Sequence, residues 1–397
     1  MRRANADRDA GNLWPSEGQV HAIARRGFAP NSNIIPWYNP GFPISARFLM
    51  LTVDEVSLSQ FANEVQDLWR RNLVGMSNAD PGAKLRLGYL ENPAGDGIGL
   101  GLRDGDAQAL AGVICLHPRT IYRGATRLRA ANMADFAVDS AFRTLGPALM
   151  LMREAVALAA GRDLLLYGLP NRTSAAVCRR AGLNIMADSQ RRYARVLTGA
   201  HPMTQGWPPL LRLCLRPVLG LVLRAAEAWR ALTLAPRLRC TATSFDDPAI
   251  DALWAQRPAH LLLGERSAAL LQWRYGRAGR GDWSVCLART SDGLVVGLLV
   301  WRLNGGMAEI GDFYCKDPAH QTASMLNAFC QFARRQGAHS VSLEFFGARA
   351  VVDQIARAGL RSRDEASIVV VDVVAADTPE LADSERWYLT AFDNDAN

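Results

Sequence analysis

Five residue groups recur in the same order in the two halves of this chain, and no other feature restricts its fold as much. Leu68-Trp69 returns as Leu253-Trp254, Leu87-x-Tyr89 as Trp273-x-Tyr275 and Gly112-Val113 as Gly297-Leu298, at offsets of 185, 186 and 185. Asp135-Phe136 returns as Asp312-Phe313, and Arg180-Ala181-Gly182-Leu183 as Arg357-Ala358-Gly359-Leu360, both at an offset of 177. The offset shifts substantially only once, as a single loop deletion in the second half would make it. Such self-similarity is the mark of two like units packed together. A length of 397 residues points to two units independently.

Apolar spacing predicts the elements of each unit. Val56, Leu58, Phe61, Val65, Leu68, Trp69 and Leu73 recur at three and four, which predicts a helix over 53–73. Strands follow over Ile98–Leu102, Ala109–Leu116 and Thr126–Val138, then a helix over Ala148–Ala160 and a strand over Leu164–Tyr167. Asn171-Arg172-Thr173-Ser174 caps a second helix that Gly182 ends, with Ser174 read as the capping side chain, and a last strand covers Arg191–Leu197. The second half reads as strand Ala308–Cys315, helix Gln321–Gln336, strand Ser340–Phe346, helix Ala350–Ala358 and strand Ala366–Val374. This is an α/β (α+β) pattern, each unit a mixed, mostly antiparallel sheet flanked by helices.

Met133 to Gly161 is the stretch with chemistry in it. Met133–Val138 is a strand end, Asp139–Phe142 a turn, and Arg143-Thr144-Leu145-Gly146-Pro147-Ala148 opens an apolar helix. A small-residue turn at a helix start points backbone N–H groups at one spot, and the positive end of the helix dipole favours an anion there.

The R-x-x-G-x-A run after a V-D-x-x-F strand end resembles the acetyl-CoA pyrophosphate loop of the GNAT superfamily of N-acetyltransferases. The resemblance implies that Arg143, Thr144, Leu145, Gly146, Pro147 and Ala148 receive the pyrophosphate. It implies that Phe136, Ala137 and Val138 hold the pantetheine arm, with Asn171 and Ser174 beside it. It offers Asp135 as the group that takes the amine proton. The family's thiolate acid is usually a tyrosine seven residues after the asparagine that opens the second helix. Here that position is Cys178, with Tyr167 and Tyr193 as alternatives or no acid at all. In the second half the loop becomes His320-Gln321-Thr322-Ala323-Ser324-Met325, so Gly146 is replaced by Ala323 and Ala148 by Met325. A side chain there blocks close approach of a pyrophosphate to the backbone. The first copy is therefore expected to hold acetyl-CoA and the second to be degenerate.

The whole resembles tandem-domain GNAT proteins. Its ending Arg386-Trp387-Tyr388-Leu389-Thr390-Ala391-Phe392-Asp393-Asn394-Asp395 resembles acetyltransferase-like proteins of bacterial polysaccharide loci. The implied activity is transfer of an acetyl group from acetyl-CoA to an amine, with a small-molecule or saccharide amine as acceptor. Two other readings stand beside it: a FemAB-like aminoacyl transferase using aminoacyl-tRNA, which has no need of Gly146, and a non-catalytic acyl-CoA-binding protein, which Cys178 favours. The aromatics Trp273, Tyr275, Trp283, Trp301, Phe313, Tyr314, Phe345 and Phe346 divide between the core and a shared acceptor cleft.

The expected domains are a flexible arm over 1–47, an acyl-CoA-binding domain over 48–200, a Pro/Leu/Arg-rich helical linker over 201–243 and a degenerate domain over 244–397. In the linker, Leu211, Val218, Leu221, Val222, Trp229 and Leu232 share one helix face, and Arg212, Arg216, Glu227 and Arg230 lie opposite, with Pro217 expected to break or kink the helix. The favoured reading packs that stripe between the domains; the alternative is a peripheral membrane contact through 207–235. The net charge of +7 is carried by arginine, for Lys84 and Lys316 are the only lysines. Without a basic run or interleaved aromatics, nucleic acid is not an expected partner. The seven cysteines form no C-x-x-C and point to a reducing compartment, the cytoplasm, with the inner membrane face as the alternative site. The six histidines show no metal-ligand spacing, so no metal is expected. The arginine-rich start lacks a signal-peptide apolar core, and Asp393–Asp395 reads as a solvated terminus.

Overall fold

The computed structural model describes residues 51–73, 76, 80–105, 109–199, 209–276, 282–372 and 379–394, without the side chains of 209–216, 365–366 and 379. The expected arm over 1–47 lies outside the described residues.

The chain opens with strand β1 (Leu51–Val56), and helix α1 (Ala62–Asn72) begins only after a turn. This corrects the helix expected from Val53. Val56 and Leu58 fit a helical spacing, but β1 pairs along its whole length with β2 (Ile98–Asp104), which satisfies its backbone as a strand. Helix α1 buries Val65, Leu68 and Trp69 completely. A short helix α2 (Pro81–Leu85) follows, with Asp80 capping the amides of Gly82 and Ala83, and it widens into a π-helical turn over Arg86–Leu90. Then come β3 (Leu110–Arg123), β4 (Thr126–Val138), α3 (Leu145–Gly161), β5 (Leu165–Gly168), α4 (Arg172–Arg180) and β6 (Asn184–Val196).

Helix α5 (Pro209–Thr233) leads to β7 (Arg239–Thr243), α6 (Pro248–Trp254), β8 (Leu262–Gly264) and α7 (Ala268–Leu271), which again widens into a π turn at Gln272–Gly276. The rest is β9 (Ser284–Arg289), β10 (Val295–Asn304), β11 (Met307–Cys315), α8 (Pro318–Arg335), β12 (Ser340–Gly347), α9 (Arg349–Arg357), β13 (Arg361–Val371) and β14 (Trp387–Thr390).

All the strands belong to one sheet, in the order β1-β2-β3-β4-β5-β13-β6-β12-β11-β10-β9-β7. Strand β13 lies between β5 and β6, antiparallel to both. Strand β8 joins β3 to β14, and β14 joins β12, so β3-β4-β5-β13-β6-β12-β14-β8 closes into an eight-stranded ring. The flanking strands extend the sheet beyond the ring on both sides.

The C-terminal segment turns inside that ring. Arg119 on β3 donates to the Phe392 carbonyl at 3.1 Å, and Asn132 on β4 donates to that of Asp393 at 3.1 Å. Tyr167 on β5 donates to the Asp393 carbonyl at 3.4 Å, and Gln190 on β6 to that of Thr390 at 3.1 Å. The expectation of a solvated terminus fails here, because Asp393 is 1% exposed. Its carboxylate accepts from Arg266 at 2.7 Å, and Arg266 also pairs with Asp312 at 3.1 Å; all three side chains are sealed from solvent. A buried charge survives only when paired and hydrogen-bonded, and this cluster meets that condition by drawing the tail in.

Helix α5 is not broken at Pro217, whose missing amide removes one bond from a helix of about seven turns. Its apolar stripe is also not packed away: Val218, Leu221, Val222, Trp229 and Leu232 are 57–69% exposed. Its opposite face is the buried one, through Leu234 just past its end and Glu227, which is ion-paired with Arg334 of α8.

Candidate functional site

Strands β4 and β5 run parallel only from Ala130↔Leu165 to Met133↔Gly168. Beyond Met133, β4 keeps β3 on one side, and no strand covers its other edge among the described residues. A cleft of about 490 Å³ opens at that point, with Lys84, Asp135, Phe136, Asn171, Ser174 and Cys178 among its walls. Six residues scattered over 95 positions of sequence thus meet at one opening.

Asp135 reaches the cleft through a β-bulge. The β3–β4 register slips between Val113 and Cys115, and Asp135 takes a left-handed conformation, with φ of 50°. That geometry costs a non-glycine residue about 1 kcal/mol or more, and such strain often marks a working residue. It sets the carboxylate against the α2 turn, where Lys84 Nζ lies 2.6 Å from one oxygen and the Tyr89 hydroxyl donates to the other at 2.6 Å. The Asp135 side chain is 3% exposed and that of Lys84 18%. Helix α2 brings Lys84, and the π turn that follows it brings Tyr89, to the same carboxylate; the sequence assigns neither a place in the site, although Lys84 is one of only two lysines and Tyr89 belongs to the repeat.

The loop after β4 is exposed through Gly146. Asp139 caps the short turn Ser140–Phe142 and is itself paired with Arg71 at 2.8 Å. Arg143 donates to Asn72 at 2.7 Å, which ties the loop to α1. Helix α3 begins at Leu145, and Thr144 makes no side-chain cap to its first amides. A Cβ placed on Gly146 meets nothing within 4 Å, Pro147 is buried, and Ala148 is half-buried. The loop is thus an open helix start beside the uncovered edge Phe136-Ala137-Val138.

Asn171, rather than Ser174, caps α4: its side-chain oxygen accepts from the Ser174 amide at 2.9 Å. Cys178 lies one turn further along and is 1% exposed. Burial pushes its thiol up to about 12. It therefore stays protonated near neutrality, a hydrogen-bond donor rather than a nucleophile. Tyr167 turns into the ring toward Asp393, and Tyr193 lines a different cavity, near Arg349 and Phe345. Of the three acid candidates, only Cys178 stands in the cleft wall.

The equivalent place in the second half is filled. Strands β11 and β12 pair from Met307↔Ser340 to Ile310↔Leu343 and then part, but β14 takes up the free end of β12 from Phe345↔Thr390 to Gly347↔Tyr388. A Cβ on Gly347 would strike the Trp387 carbonyl, so only glycine admits the inserted strand. Asp312 is sealed, holding Arg266 and the Thr390 hydroxyl, the latter at 2.7 Å. At the start of α8, Asp317 pairs with His320 at 2.9 Å, while Ala323 and Met325 are buried. The aromatics of this half do not wall the cleft. Trp273, Tyr275, Trp301, Phe313, Tyr314, Phe345 and Phe346 are core, and Trp283 packs against them. The second half reaches the cleft instead through Ser367 and Asn394, neither of which its sequence signals.

No protein-family model matches the sequence, and no curated protein does. Solved structures do match in three dimensions. One is a conserved protein of unknown function from Enterococcus faecalis V583, described as a "Probable N-Acyltransferase", with a TM-score of 0.58 and 17% identity over 83% of this chain and 74% of that one. Another is a GCN5-related N-acetyltransferase from Anabaena variabilis, with a TM-score of 0.57 and 14% identity over 82% of this chain and 73% of that one. The chain therefore has the fold of the GCN5-related N-acetyltransferases. No described helix is long and apolar enough to cross a membrane.

Proposed function

We propose that the chain is an acyl-CoA-dependent N-acyltransferase of tandem type, with an acyl-CoA-binding unit over 48–200, a linker over 201–243 and a degenerate unit over 244–397. The tandem reading is supported by matching irregularities: a π turn before each set of central strands, a bulge at each Asp-Phe pair, and two parallel strand pairs that part. One observation carries the functional reading. The first parting is an open cleft beside an exposed helix start, while the second is plugged by the chain's own β14.

In this reading the Thr144–Ala148 loop receives the pyrophosphate of acetyl-CoA through the free backbone N–H groups of Leu145 and Gly146 at the start of α3, assisted by the helix dipole and by Arg143. The uncovered edge Phe136–Val138 aligns the pantetheine arm, with Asn171 and Ser174 at its far side. Asp135 accepts the proton of the acceptor amine, and Lys84 and Tyr89 hold its carboxylate in place. The amine nitrogen bonds to the acyl carbon, the carbon–sulfur bond breaks, and the leaving sulfur takes a proton. Cys178 donates a hydrogen bond to that sulfur; with its thiol near 12 it is a weak acid, so solvent supplies much of the proton.

The acceptor is an amino sugar or cell-envelope polysaccharide precursor, a choice that rests on the resemblance of the Arg386–Asp395 ending. The six described cysteines are all free and buried, in keeping with work in the reducing cytoplasm. A second reading, acyl-CoA binding without transfer, is favoured by the raised Cys178 and by the occupied Asp135. Thiol release separates the two. Incubation with acetyl-CoA and a panel of amino sugars should free CoA thiol only when an amine is present. Binding of acetyl-CoA with no amine-dependent thiol release across the panel would favour the second reading.

A further inference from the structure

Helix α5 is turned inside out relative to ordinary packing. Its buried side carries the Glu227 carboxylate, and its outer side carries Val218, Leu221, Val222, Trp229 and Leu232, all more than half exposed. Soluble surfaces rarely present so many large apolar groups in one stripe, and such a stripe marks a surface made for an apolar partner. The helix is about 37 Å long, enough for the stripe to lie flat along a surface.

The flanks decide which partner. Arg224 is exposed one helical turn from Leu221, at the edge of the stripe, while Arg334 and Arg335 close α8 on the Glu227 side of the helix. Burial, together with Arg224, Arg195 and Arg335, lowers the proton affinity of the Arg334 guanidinium, as a crowd of like charges does. Glu227 is the one acid that the α5–α8 contact holds, and it is already paired with Arg334. A second copy of the chain docked stripe to stripe would bring two such basic regions toward each other. A surface with an apolar interior and phosphate groups at its rim matches both the stripe and the arginines.

We propose that α5 is a peripheral membrane anchor that lays its apolar stripe into the headgroup region of an anionic lipid bilayer, with Arg224 at lipid phosphates and the combined positive charge of Arg224, Arg334 and Arg335 drawing the helix to the surface. The proposal is independent of the acyl-transfer reading.

The test uses the full chain and extruded vesicles, either pure phosphatidylcholine or with a third phosphatidylglycerol. The protein should sediment with the anionic vesicles at low salt, detach as salt rises, and leave neutral vesicles largely unbound. A Leu221→Asp/Trp229→Asp double variant should lose about tenfold or more in apparent affinity. Both side chains are exposed, so its melting temperature should match the parent. No sedimentation at any salt overturns the proposal. So does equal binding by the double variant, or a dimer in ultracentrifugation that the double variant abolishes, which would make the occupant a second copy.

Discussion

Replacing Arg266 with methionine is expected to destabilise the fold by about 3 to 5 kcal/mol, the range seen when one partner of a buried ion pair is removed. The Arg266 side chain is fully enclosed and holds Asp312, Asp393, Thr390 and the Gly264 carbonyl. Burial opposes its charge, but Asp312 and Asp393 outweigh that and keep it protonated. Without it, two carboxylates face each other in the core and the tail loses its anchor. An exposed pair such as Arg349–Asp353 is the control: Arg349→Met should cost less than about 1 kcal/mol.

The loss should also depend on pH. Burial pushes the Asp312 carboxyl up to about 6, against the pull of Arg266 and with a further push from Asp393. A carboxyl raised in the fold keeps its proton there after the unfolded chain has lost it. The stability it supplies is present in acid and disappears as pH rises through about 6. Removing Arg266 takes away the charge that lowers it, so its titration moves higher still. Urea unfolding of Arg266→Met should show a smaller deficit at pH 5 than at pH 8. A deficit independent of pH would mean that the cluster does not carry the buried charge described here.

Asp135→Asn is expected to slow acetyl transfer by about 10²- to 10⁴-fold, the usual contribution of a positioned base. Acetyl-CoA affinity should change little, because the loop and strand edge that receive the cofactor are untouched. The amide can still accept from Tyr89, and Lys84 keeps partial access to water. The measurement is steady-state thiol release beside an equilibrium binding curve. A matching fall in both would assign Asp135 to cofactor binding or to stability rather than to the proton.

Much of the first half was legible because its signals are local. The alternation from Ile98 to Val138 and the Gly161 and Gly182 stops mark β2, β4, α3 and α4 within a few residues, whereas β3 runs on to Arg123, seven residues past the expected Leu116. The five repeated groups likewise fell on corresponding elements, down to paired π turns and bulges that no periodicity reveals. What the sequence hid is long-range. Nothing local says that β13 enters between β5 and β6, or that Thr390–Asn394 turns inside a ring to meet Arg119, Asn132 and Gln190. The tail reads as polar, which suggests solvent; inside, its polarity is what the ring's donors require. The Val56 to Phe61 spacing suited a helix, but the partner strand β2 decided otherwise. For α5 the stripe itself was plain, whereas which face meets the protein depends on Arg334, more than a hundred residues away. Of the residues that the pattern points to, Asp135 and Cys178 line the cleft and the Arg143–Ala148 loop lies outside its walls, while Lys84 and Asn394 reach it only through α2 and the tail.

The central claim is that acetyl-CoA binds at the open first cleft and not at the plugged second one. Gly146→Trp tests it directly, because a Cβ there meets nothing and the variant should fold as the parent does. At a hundredfold excess over its dissociation constant, acetyl-CoA should stabilise the parent by about 2.7 kcal/mol, raising its melting temperature. His320→Ala, at the matching loop of the second half, should retain the full shift. The account predicts no shift for Gly146→Trp at the same ligand concentration; a shift equal to the parent's would place the cofactor elsewhere and contradict it.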